Sequence, residues 1–130
     1  MNYSEIENKL VERLKEYHNY DISVFPDDPS EYILTHPNAG IVVKFAGSSW
    51  NAPQIIQQAL LIQYEIYIIS RMKRQKTLDL MEEVRQTLTS DFFIDNSRFY
   101  VTGESESEYT DGTWYYKLNL TLPFISLQGY

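Results

Sequence analysis

No cysteine occurs among the 130 residues. That excludes a disulfide framework and thiolate chemistry, and it fits a reducing compartment. Glycine and proline number only five each, too few for a collagen-like or low-complexity chain. Positive charge is also short: 11 Lys and Arg face 18 Asp and Glu, a net of −7. General nucleic-acid binding draws its affinity from cations that neutralise phosphates, so this balance argues against it, and against an anionic membrane surface. Long hydrophobic runs are missing too. A bilayer span needs about 20 nearly uninterrupted apolar residues. The greasiest stretch, residues 55–69, is broken by Gln57, Gln58, Gln63 and Glu65. Residues 1–7 carry neither the basic nor the apolar segment of a secretory signal, so a soluble chain without a leader is expected. No internal repeat or linker-like shift in composition divides the chain, and one domain over residues 1–130 is the simplest expectation.

What is present is a globular share of apolar residues, 43%, and a surplus of tyrosine, 11 in all. Ile6, Leu10, Val11, Leu14 and Tyr17 recur at helical spacing and leave Glu5, Asn8, Lys9, Glu12, Arg13 and Glu16 for water. Ser4 and Glu7 have the spacing of a capping box at the start of this helix, which should end near His18. Residues 21–25 read as a short strand closed by Pro26, and residues 26–30 as a loop. The β-branched run at residues 41–45 predicts a strand, followed by irregular chain over residues 46–53. Residues 54–60 fit either a helical turn or an extended lead-in. Period-two alternation predicts a strand from Leu60 to Ser70. A second helix is expected over residues 77–88, with Leu78, Met81, Val84, Arg85 and Leu88 as its stripe, helped by Leu80. Phe92, Phe93 and Ile94 should pack beneath it.

Asp111-Gly112 is a type I′ hairpin signal, because both turn positions need positive φ. A regular ladder from that turn places Tyr109, Ser107, Ser105, Gly103 and Val101 opposite Trp114, Tyr116, Leu118, Leu120 and Leu122. The other face then carries Glu108, Glu106, Glu104 and Thr102 opposite Tyr115, Lys117, Asn119 and Thr121. The expected fold is a two-layer α+β domain: two helices on one face of a mixed, mainly antiparallel sheet with a C-terminal β-hairpin.

Chemistry is sparse. His18 reads as a helix C-terminal cation and His36 as a loop or edge residue; neither has a partner at ligand spacing. Residues 47–49 match neither a phosphate loop nor a nucleophile elbow. No catalytic residue, metal ligand or cofactor is expected, and an enzyme is disfavoured. Asp27 and Asp28 could bind a hard cation or serve as a carboxylate pair, but adjacent aspartates between prolines read first as a solvated loop, and they count as a candidate contact with a partner. Arg71, Lys73, Arg74 and Lys76 hold four of the 11 cations within six residues, a candidate docking patch for an acidic surface. The row Glu104, Glu106 and Glu108 is its natural complement on a neighbouring copy. Tyr17, Tyr64 and Tyr116 fall on expected core faces. Tyr3, Tyr20, Tyr32, Tyr67, Tyr100, Tyr115 and Tyr130 fall on polar faces, loops or termini, as interface tyrosines do.

The block Gly40-Ile41-Val42-Val43-Lys44-Phe45-Ala46-Gly47-Ser48 is followed by the strand Gln63 to Ile68, a basic turn, and the helix Leu80 to Leu88. In this order it resembles the small tail-terminator proteins of Mu-like and related tailed phages and prophages. The resemblance implies a non-enzymatic virion protein, assembled in the host bacterial cytoplasm. Its members look like ring-forming caps, usually hexameric, that end tail-tube growth and present a surface to neck or connector proteins. The expected partners are therefore other copies of the chain, the tail-tube protein and the neck, with no membrane and no specific nucleic-acid binding. DNA would pass through such a ring, and a net negative wall would not hold it. The competing reading is a monomeric acidic binding module, immunity- or inhibitor-like, that masks a basic partner.

Overall fold

Hydrophobic periodicity sets the elements, and their order follows. The computed structural model describes residues 2–51 and 57–127. Helix α1 (Tyr3–Tyr17) leads into strand β1 (Asp21–Val24), a single 3-10 turn (Pro29–Glu31) and the strands β2 (Ala39–Asn51) and β3 (Gln57–Ser70). Helix α2 (Arg74–Thr89) and strands β4 (Tyr100–Thr110) and β5 (Thr113–Leu127) complete the chain. The five strands form one open sheet in the order β1-β2-β3-β5-β4. Among the described residues only the β1–β2 pair is parallel. Both helices cover one face, giving the two-layer α+β fold that the sequence predicts.

The core lies between those layers. Ile6, Leu10 and Leu14 of α1 and Leu80, Val84 and Leu88 of α2 meet Ile41, Val43, Tyr64, Ile66, Ile68, Leu118 and Leu120 of the sheet, all 2% exposed or less. Burying each such aliphatic side chain stabilises the fold by about 1.5–3 kcal/mol, so this layer dominates the energetics. The opposite face of the central strands is shielded by the loop between β1 and β2. Tyr32 and Leu34 of that loop lie where a Cβ on Gly40 would sit, so a side chain at this position would lift the loop off the sheet.

Several local expectations are corrected. Asn2, not Ser4, caps α1: its Oδ1 accepts from the Glu5 amide at 2.9 Å and from the Ser4 hydroxyl. Glu7 makes no capping box; its Oε2 accepts the Phe45 amide at 2.7 Å. Tyr17 is 59% exposed and not core. Helix α2 starts three residues before the expected Thr77. Its buried stripe is Thr77, Leu80, Val84 and Leu88, while Leu78 and Met81 are half-buried. Phe93 is exposed, whereas Ile94 is buried. Residues 46–51, expected to be irregular, continue β2 past a bulge that leaves Ala46 unpaired, because β3 pairs with Gly47 to Asn51. Residues 57–60 are strand, the extended alternative of their segment; residues 52–53 of the irregular segment, residues 54–56 of the lead-in, and Tyr130 lie outside the described residues.

The largest correction is the hairpin register. The turn is as expected, with Asp111 and Gly112 at φ 51° and 78°, and pairing is regular as far as Glu108↔Tyr115. A bulge at Ser107 then sets Glu106 opposite Tyr116 and Glu104 opposite Leu118, and a second bulge sets Val101 opposite Leu120. Each bulge inserts one unpaired residue and flips the faces beyond it. Glu104 and Glu106 therefore lie on the helix side of the sheet, and only Glu108 keeps the expected face.

Candidate functional site: a basic end and its surroundings

The junction between β3 and α2 is built from hydroxyls. The Met72 amide donates to Ser70 Oγ at 3.0 Å, Ser70 Oγ and Thr77 Oγ1 are 2.8 Å apart, and Thr77 Oγ1 donates to the Lys73 carbonyl at 3.1 Å. Ser70 and Thr77 are fully buried. Leaving such groups unpartnered costs about 1–3 kcal/mol each, so the relay fixes how the chain enters the helix. Lys73 occupies the cap position and provides no side-chain cap.

This junction displays all four expected cations. Arg71, Lys73, Arg74 and Lys76 are exposed; Arg74 and Lys76 sit in the first turn of α2, not in a turn before it. Asn38, Arg71, Met72, Lys73 and Lys76 line a cleft of about 360 Å³. None of the four joins an ion pair among the described residues, where the pairs are Arg85–Glu82, Arg85–Glu104 and Lys117–Glu65. Positive charge at a helix N-terminus opposes the macrodipole, so the cluster is locally unfavourable; Arg74 is turned to Tyr116 of its own copy, and Arg71, Lys73 and Lys76 are exposed for a partner.

The acidic row is differently placed. Glu104 accepts from Arg85 at 3.2 Å, and Glu106 accepts from the Tyr116 hydroxyl at 3.0 Å. Burial and the Glu106 carboxylate raise the Tyr116 phenol above its usual pKa, while the nearby Arg74 charge opposes the rise. Glu106 and Arg74 therefore already flank one tyrosine within a single copy. Glu108 accepts from Thr110 at 2.5 Å on the exposed edge. Asp28 closes the short turn by accepting from the Ser30 amide and hydroxyl, and Asp27 beside it is exposed. The acidic residues thus occupy two separate places, and Arg85 is what binds Glu104 to α2.

Two further features were not legible in the sequence. Phe25, Pro26, Pro29, Tyr32, Val42, Tyr67, Ile69 and Tyr115 line an apolar cleft of about 200 Å³ on the loop-covered face. Within it the Tyr32 hydroxyl is buried without a partner, and burial together with Asp21 pushes its pKa up to about 12. The tyrosine surplus hinted at this cleft, but the loop that closes it carries no periodic signal. Arg13, expected in water, instead donates through Nε to the Thr87 carbonyl at 3.0 Å and through a terminal nitrogen to the Ser90 carbonyl at 2.8 Å. Its guanidinium also lies over the Tyr17 and Phe92 rings.

His18 caps α1 through its backbone amide, and burial lowers its pKa below 6.5, partly offset by Glu83, which disfavours the cation expected there. His36 is a loop residue whose Nδ1 accepts from the Asn38 amide. Among the described residues no three His, Cys, Asp or Glu converge on a metal-sized site, and no helix is long and apolar enough to cross a membrane. A model of the family described as Gp37 protein matches residues 10–129 of the chain. No curated protein matches it.

Proposed function

This chain belongs to the Gp37 protein family, which gives it a structural role in a phage tail, and on that premise we propose that it is the subunit of a ring that caps the tail tube. The ring ends tube polymerisation and offers its outer surface to the neck or connector proteins. It acts by contact alone, without catalysis or cofactor. The observation that carries this reading is the family match over nearly the whole chain. The charge layout supports it. The four clustered cations at the β3–α2 junction form a docking patch for an acidic surface of the tube or neck. Asp27, Asp28 and Glu108 stay exposed or at an edge as acidic contacts, whereas Glu104 and Glu106 are held by Arg85 and Tyr116. Ring closure needs heterologous contacts between unlike patches.

Native mass spectrometry of the purified chain, combined with electron microscopy on purified tail tubes, tests the proposal. The expected result is one closed multimer, free or at a tube end, and tubes that no longer elongate. A chain that stays monomeric at high concentration and binds no tube end would sink it, and would favour a monomeric masking module.

A further inference from the structure

Among the described residues, the strands at the end of the sheet opposite the cations carry no charged side chain of their own; one acid from outside the sheet, Asp95, lines a cleft there with Tyr3, Leu60, Ile62 and Phe124. Between Lys44 and Glu65 there is no Asp, Glu, Lys or Arg, and none follows Lys117. The fold brings these two segments together: residues 47–51 of β2 pair with β3, and residues 57–61 of β3 pair with residues 123–127 of β5. They form a three-stranded arm with β3 in the middle. The helix layer stops at its base, where Tyr3 stacks on Phe45 with ring centres 4.3 Å apart and donates its hydroxyl to Ser48 Oγ. Beyond that point Ser49 is exposed and Trp50 is 58% exposed.

Both outer edges of this arm are open among the described residues. Strand β1 pairs with β2 only as far as Val43, and Glu7 takes the next outward amide, that of Phe45. Strand β4 pairs with β5 only from Thr121 back to the turn. Open edges are templates for pairing with another chain, and proteins normally block them with charge, bulges or shortness. Strand β4 is blocked in this way by two bulges and three glutamates, and β1 has only four residues. The arm edges carry no charge to block them; the bulge at Ala46 and Pro123, which lacks an amide proton, interrupt the β2 and β5 edges only at their inner ends.

Charge identifies the occupant. Two copies at −7 each repel wherever acidic surfaces meet, so an uncharged edge is where a second copy approaches at least cost. We propose that copies join arm to arm, with the β2 edge at residues 47–51 of one copy pairing with the β5 edge at residues 124–127 of the next. Strands β2 and β5 both run antiparallel to β3, so they run parallel to each other. When copies are related by rotation about an axis along the strands, the new pair is also parallel and the contact is heterologous, as a ring requires. This junction rests on the ring reading above and names its contact.

The chain has no cysteine, which makes cross-linking specific. The doubly substituted chain Ser49→Cys with Ser126→Cys, oxidised free and on tail tubes, is expected to give a ladder of disulfide-linked multimers that needs both substitutions. Ser49→Glu, at an exposed side chain, should weaken self-association about tenfold at low salt, with its thermal melting unchanged. Disulfide dimers from Ser49→Cys alone, with no ladder from the double variant, would show a two-fold β2–β2 contact and overturn the proposal. Native-size rings from the double variant with no cross-link would overturn the junction and leave the ring reading standing. A chain that is monomeric both in solution and on tubes would remove the ring reading and the junction together.

Discussion

Arg13 joins the two helices at a single point. Its guanidinium reaches two carbonyls at the C-terminal end of α2, where the macrodipole favours a cation. Hydrogen bonds to charged groups contribute about 1.5–3 kcal/mol, so Arg13→Ala should lower the unfolding free energy by about 2 kcal/mol in urea denaturation. Arg13→Lys should not restore it, because a point charge cannot serve two diverging acceptors and two rings. From the sequence Arg13 looks like any solvated residue beside an apolar stripe, because its acceptors lie 74 and 77 residues away. His18 yields a second prediction. Burial holds its folded pKa below the unfolded value near 6.5, so the unfolded chain binds more protons between those two values. Stability is therefore full above pH 6.5 and falls as the pH drops below it. Thermal melts of His18→Gln should lose part of that acid-side decline, and an unchanged profile would mean that His18 titrates alike in both states.

The β4–β5 hairpin shows how far pattern reading reaches. Element existence, the turn residues and the first three pairs were legible, because Asp111-Gly112 fixes them through backbone conformation. The faces of Glu104 and Glu106 were not. A regular ladder sorted apolar from polar so well that nothing announced the bulges, and Ser107 bulges because Arg85 and Tyr116 draw Glu104 and Glu106 to the helix side. Likewise, residues 47–51 lack strand propensity and are extended only because β3 pairs with them. Deleting Ser107 should therefore be tolerated. It removes the unpaired residue, keeps Glu106 opposite Tyr116 and loses one hydrogen bond, from Ser107 Oγ to the Tyr115 carbonyl. The melting temperature is expected to fall by only a few degrees, in keeping with about 1 kcal/mol for one such bond. Outright unfolding of the deletion variant would contradict the bulged register. Gly112→Val, by contrast, forces a β-branched residue to φ 78° and should destabilise the hairpin by at least about 1 kcal/mol.

At the scale of the whole molecule, β2 runs from the basic end at Ala39 to the uncharged end at Asn51, a span of about 40 Å at the usual strand rise. That is several times the Debye length of about 8 Å at physiological salt, so the two ends act independently and respond to salt with opposite signs. Contact between arms is opposed by the net −7 of each copy, so added salt should screen the repulsion and strengthen self-association. Docking of Arg71, Lys73, Arg74 and Lys76 on an acidic tube or neck surface is attractive, so the same salt should weaken it. Sedimentation across a salt series, set against capture of tail tubes or neck complexes over the same range, should give slopes of opposite sign. Replacing Lys73 and Lys76 together by Glu should abolish the salt-sensitive capture and leave ring assembly within about twofold, since sites so far apart contribute additively. If that double variant also dissolved the ring, the cations would belong to the contact between copies, and the division of the molecule into an assembling end and a docking end would fail.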